Sequence, residues 1–168
     1  MIQQAPAYAP PPQTHVHQGG ATQRAPIQAT VSKAALPPGF LGAWQVSGGR
    51  TKVEAASPEF QGAAEQAFAG QTSNVWTIKG SQQGGYSIGS DTGVNFPLYV
   101  DKVANGVAFV RYQHPVKNTM AKEAIVMQLG NGGTTFSGLE RISIVKQVEG
   151  QAPVTRCKVQ YQLNGQRR

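Results

Sequence analysis

Two textures divide the chain. Up to about residue 38 the apolar residues keep no period. Ala5-Pro6-Ala7-Tyr8-Ala9-Pro10-Pro11-Pro12 is a run of proline and small residues that favours extended polyproline II backbone and has little to bury. Pro37-Pro38-Gly39 then punctuates the chain. From Phe40 onward apolar and polar positions alternate in short runs between turn residues, the period of half-buried strands. Gly42 to Glu54 opens the series, with a bulge or sharp bend expected at Gly48-Gly49. Further runs cover Asn74 to Lys79, Tyr86 to Ile88, Leu98 to Val103, Gly106 to Gln113, Met120 to Leu129, Thr134 to Lys146 and Val154 to Leu163. Asn105-Gly106 and Asn131-Gly132-Gly133 are hairpin signals, because these residues tolerate positive φ. His114-Pro115 is expected to break its strand.

Only one segment keeps a helical period. Ser57 is placed to cap it, Pro58 sits in the first turn and Glu59 meets the positive end of the helix dipole. Phe60, Ala64, Ala67 and Phe68 share a face, and Gly70 ends the run. Such a helix can cover a barrel mouth or pack on its outside. About eight strands joined by short turns predict a mainly β fold, a small antiparallel up-and-down β-barrel with one short helix after the first strand. The domain reading is a disordered Pro/Gln/Ala-rich tail over residues 1–38 and a barrel domain over residues 39–168.

Composition changes this picture in two ways. Charged residues make up only 14% of the chain, against an average of roughly 25%, and a polar surface of low charge points to an exported protein. The start Met1-Ile2-Gln3-Gln4-Ala5-Pro6-Ala7 carries no signal peptide and resembles the Ala/Pro/Gln-rich stretch that follows a cleaved export leader. An extracytoplasmic location is therefore expected. The net charge is +7, with thirteen basic against eight acidic residues from Phe40 on and no acid after Glu149, where Arg156, Lys158, Arg167 and Arg168 follow. This balance suits nucleic acid, anionic lipid or acidic polysaccharide; a solvated basic surface is the plainer reading. Aromatic and basic residues do not interleave as on a nucleic-acid platform, Arg111-Tyr112 and the run from Arg156 to Tyr161 being the nearest approach.

The cysteine count and hydropathy exclude several classes. Cys157 is the single cysteine, so neither an intramolecular disulfide nor a cysteine zinc site can form. It alternates with Val159, Tyr161 and Leu163, which reads as an inert inward thiol. No run of about 18 apolar residues is available for a transmembrane helix. His15 and His17 form a His-x-His pair without a third ligand nearby, and no metal or cofactor is expected. P-loop, dinucleotide and nucleophile-elbow motifs are absent from the sequence, and His114 is the only histidine after residue 17. No enzymatic activity is expected.

Strand parity sorts the remaining chemistry. Ala121, Glu123, Ile125, Met127 and Leu129 share one face; Glu140 goes with Ile142 and Ile144; Arg111 goes with Val107 and Phe109. If these faces point inward, Arg111, Glu123 and Glu140 converge near one end of the interior. Three readings stay open: a head-group site for a polar ligand, a structural ion pair plugging the barrel, or an outward placement forced by bulges, notably at Gly138. A glycosidase-like carboxylate pair is a minor fourth.

Gly42-Ala43-Trp44 at the start of the first strand, preceded by Phe40-Leu41, resembles the Gly-x-Trp hallmark of lipocalins and their calycin relatives. The resemblance implies a ligand-binding barrel whose tryptophan closes one end and stacks on an arginine from a late strand, with Arg141 and Arg156 as candidates. The helix directly after the first strand is more similar to the fatty-acid-binding relatives, and the Thr-Asp-Tyr segment and C-terminal helix of lipocalins are absent. Two functions are carried forward. In one, a small apolar or amphipathic ligand binds inside, against Trp44, Trp76, Ile125, Met127 and Ile142, with Arg111, Glu123 and Glu140 as polar contacts. In the other, a cell-surface or envelope interaction protein uses its outer wall, its strand edges and its tail, which could add to an exposed sheet edge.

Overall fold

Among the residues described by the computed structural model, 32–168, eight strands follow one another around a ring. They are β1 (Gly42–Ala55), β2 (Gln71–Ser81), β3 (Gly85–Gly89), β4 (Asn95–Ala104), β5 (Val107–Val116), β6 (Thr119–Leu129), β7 (Thr135–Lys146) and β8 (Val154–Arg167). Each pairs antiparallel with the next, and β8 returns to pair with β1 from Ala55↔Cys157 to Trp44↔Arg167, so the barrel is closed. A single helix, α1 (Gln61–Ala67), follows β1. The Pro-rich run and the His15/His17 pair lie outside the described residues.

Local chemistry explains most of the register. Asn105 and Gly106 take φ of 52° and 75°, the left-handed pair a tight β4–β5 hairpin needs. Strand β5 does not stop at His114-Pro115. It runs on to Val116, because Pro115 is exposed opposite Met120 beside the hairpin turn, where a missing N–H leaves the middle of the ladder intact. Gly48 and Gly49 pair regularly, and the register shift falls just beyond them, between Arg50 and Lys52. Gly138 is likewise no bulge. It stays in register between Met127 and Leu163, and the β7–β8 shift lies at Ile144/Val145.

The lower end, where β1 starts and β8 ends, is sealed by chain that the sequence assigned to the tail. Ser32 and Leu36 of that stretch are buried, together with Phe40 just after it. The short strand β3 begins at Gly85, just past the position opposite Val100, so the backbone there turns to the incoming segment. Lys33 N–H donates to the Val100 carbonyl (3.0 Å), and Val100 N–H donates to Ser32 Oγ (3.1 Å). Leu36 N–H donates to Tyr86 Oη (2.9 Å). Ser32 to Leu36 therefore pack as part of the folded unit.

The upper end is covered in part by α1. A 3-10 turn over Pro58–Phe60 precedes the helix. Ser57 makes no capping bond, and its buried Oγ has no partner. Gln61 ties the helix down instead, accepting from Ala55 N–H (2.9 Å) and donating to the Val53 carbonyl (2.8 Å). Arg50, from the inner face of β1, reaches up to the carbonyls of Glu65 and Phe68. Phe68 packs on the core, whereas Phe60, placed on the same face by its spacing, is exposed.

The interior is tightly filled. Phe136 meets Trp44 edge-on at 5.1 Å and stacks near Trp76 at 6.1 Å. Gly165 makes room for it: a Cβ there would lie 2.0 Å from the Phe136 ring. Trp44 is 0% exposed, and Ile78, Ile125, Met127 and Leu163 are each 1% exposed. A ligand-sized void would leave contactable surface on the side chains that line it, and these have almost none.

Candidate functional site

The inward faces of β1, β5, β6, β7 and β8 bring together a polar row in the upper half of the barrel. Arg50 pairs across strands with Tyr161, and Tyr161 with Glu140. Glu123 lies two residues along β6 from the position opposite Glu140. His114 Nε2 sits 2.6 Å from Glu123 Oε1, with both side chains buried. The Tyr112 hydroxyl also bonds to Glu123, as does the Glu140 carboxyl. Phe96, Tyr112 and His114 stack as a ring cluster beside the pair, with centroids 5.2 to 6.3 Å apart.

The electrostatics of the two carboxyls diverge. Burial pushes Glu123 up, but hydrogen bonds from His114, Glu140 and Tyr112, with the charge of His114, outweigh it and hold Glu123 below the usual carboxylate range. Glu140 is pushed up to about 10, first by burial and then by the charge of Glu123 and the hydrogen bond to it. The protonated Glu140 thus donates to an ionised Glu123. The hydrogen bond between the two carboxyls brings them closer than the roughly 5 Å or more that either glycosidase geometry requires, and it ties β6 to β7 inside the barrel.

Arg111 is not part of it. The alternate residues Ala108, Val110, Tyr112 and His114 face inward, and Arg111 points out, paired with Asp101 at 2.9 Å. Both parities of Val107-Ala108-Phe109-Val110 are apolar, so alternation alone could not decide the face. Packing decides it: the large side chains Trp44, Phe40 and Met127 fill the lower end, and β5 contributes only Ala108 there. Phe109 is left outside under Lys102, 5.9 Å from its ring centroid. The interior arginine is Arg50, which the sequence reading missed inside the Gly-Gly-Arg stretch. His114 was also missed as a partner, although its parity with Val110 and Tyr112 was readable.

Trp44, Trp76 and Met127 sit in the core, as wall rather than lining of a void. The Trp44 indole N–H donates to the Phe40 carbonyl (2.9 Å). Its stacking cation is neither Arg141 nor Arg156 but Arg167, whose guanidinium lies 4.3 Å from the ring. Arg167 also donates to the carbonyls of Gly39, Leu41 and Gly133, stitching both flanking loops onto the lower end. The Cys157 thiol is half-buried and burial pushes it up, which keeps it protonated and unreactive.

The outer wall is polar. Outward positions include Lys122, Gln128, Lys158, Gln160, Gln162 and Asn164, unlike the apolar band of a lipid-facing barrel. Among the described residues no helix is long and apolar enough to cross a membrane, and no three metal-ligating side chains cluster. Two clefts open on the outside. One, of about 390 Å³, is lined by Gln45, Ser73, Asn74, Asp91 and Arg168 among others. The other, of about 480 Å³, crosses β4 to β7 and is lined among others by Tyr99, Arg111, Gln113, Lys122, Ala124 and Arg141. Comparison with protein-family models, with curated proteins and with solved structures found no match to this chain.

Proposed function

We propose that this chain is a non-enzymatic, exported interaction module that works from the outer wall of a filled, calycin-like barrel. The observation that carries this reading is the absence of contactable surface on Trp44, Ile125, Met127 and Leu163, which occupy the space a ligand would need. The calycin relationship draws support from the stack of Arg167 on Trp44, the arrangement that the Gly-x-Trp resemblance implies. Every strand of the ring pairs on both sides, β2 with β3 only over Thr77 to Ser81, so the outer wall and its clefts are the main surfaces offered to a partner. A small-ligand reading keeps one support: Phe96, Tyr112 and Ile142 remain only half-buried toward the upper end.

Met127→Trp separates the two. In a filled barrel the larger ring has nowhere to go, and the substitution should lower the unfolding free energy by about 1–3 kcal/mol in a denaturant titration. Unchanged or increased stability would mean that the tryptophan had entered an existing cavity, and the small-ligand reading would replace this one.

A further inference from the structure

We infer that the outer cleft over Ala124 is a docking groove for an acidic, extended segment of a partner polypeptide. The inference rests on the outer-wall reading and names the surface and the chemistry of its partner.

The groove is made by one small residue between long cationic ones. Arg111, Ala124 and Arg141 are direct cross-strand partners on β5, β6 and β7. All three point outward and are exposed. The Ala124 methyl leaves a low floor between two guanidinium groups two strands apart, roughly 10 Å by strand spacing. Lys122 stands two residues along β6, about 7 Å further on by strand rise. Tyr99 closes one side, with the Arg111 guanidinium 5.0 Å from its ring.

Both arginines are held in place without using their forks. Arg111 donates from Nε to the two oxygens of Asp101, at 3.1 and 2.9 Å. Arg141 donates from Nε to Gln160 Oε1 at 3.3 Å. This anchoring leaves the Nη groups of both arginines, and Lys122 Nζ, without a protein partner among the described residues. Positioned arginine forks are suited to bidentate recognition of carboxylates. Glu123, the nearest acid along β6, points the other way into the barrel and is occupied by His114.

The shape and charge choose among anionic partners. Carboxylates recur at about 7 Å on one face of a β-strand, and at about 9 Å, every third residue, along one side of a polyproline II segment, close to the two cation spacings. The floor and side of the groove are apolar (Ala124, Tyr99), so a polypeptide can fill it with backbone and side chains together. A flat bilayer would meet the tips of the cations and not the floor. A second copy of this chain is disfavoured because each carries a net charge of +7.

The test uses the full chain and a fluorescein-labelled hexaglutamate peptide, followed by anisotropy at physiological ionic strength, with hexaglutamine as the neutral control. Saturable binding of hexaglutamate alone is expected. It should weaken at least tenfold in Lys122→Glu and in Arg141→Glu, and less than twofold in Lys79→Glu, a charge reversal of the same size on β2. These positions are exposed, and unchanged circular dichroism will show that the variants fold. No saturable binding, or equal weakening by Lys79→Glu, would overturn the proposal. So would a sulfated hexasaccharide that binds tenfold more tightly than the peptide through the same two residues. None of these failures touches the filled barrel, which Met127→Trp tests separately.

Discussion

Replacing His114 with leucine is expected to lower the unfolding free energy at neutral pH by about 3 kcal/mol, the upper end of the cost of leaving a buried acceptor without its partner, because Glu123 is ionised. His114 Nε2, 2.6 Å away, makes the strongest of the hydrogen bonds that hold Glu123 ionised in the interior. Denaturant unfolding followed by tryptophan emission reads the loss. The double variant His114→Leu/Glu123→Gln should recover most of it, because the neutral amide carries no buried charge to compensate. A loss below about 1 kcal/mol in the single variant, a value typical of exposed ion pairs, would show that water reaches the pair.

Glu140→Gln should act in the opposite direction. The folded Glu140 keeps its proton up to about 10, whereas an unfolded glutamate releases it near 4.5. Between those values the folded state binds the extra proton, so the contribution of Glu140 to stability is fully present below 4.5 and is lost as pH rises toward 10. Glutamine can keep a donor toward Glu123 and has no proton to lose. The variant should match the wild type near pH 4 and exceed it at pH 8 by about 1–4 kcal/mol, the range for replacing buried ionisable groups with neutral residues of similar volume. Glu123 works the other way, its stabilisation being lost as pH falls below 4.5 through its lowered value. Subtracting the two stability–pH curves isolates Glu140. Parallel curves from pH 4 to 9 would mean that Glu140 ionises in the folded protein as it does unfolded.

The strand order was legible because each connection carried its own turn chemistry: Asn105-Gly106 and Asn131-Gly132-Gly133 each close a hairpin, and alternation marks the strands between. The inward placement of Glu123 and Glu140 was legible from their apolar neighbours on the same parity. The faces of β5 were not, because four consecutive apolar residues satisfy both parities and only the volume available opposite Trp44, Phe40 and Met127 separates them. Arg50 was hidden for a related reason. It lies next to the register shift in β1, which reverses parity between Val46 and Val53. Arg167 was missed because its role depends on the far end of β8 returning to β1, a contact 123 positions apart in the chain that no local pattern encodes. The upstream boundary was misplaced because Ser32 and Leu36 are held by backbone bonds to Val100 and by Tyr86, not by a periodic pattern of their own.

The most direct test of a filled barrel acting from its outer wall is titration of the full chain with a fluorescent apolar probe, following quenching of Trp44 and Trp76 emission. The packed core predicts no saturable quenching from a protein that melts cooperatively, since both indoles are enclosed by Phe136 and their neighbours. Saturable quenching at one site per chain would contradict the account and place the working surface inside the barrel.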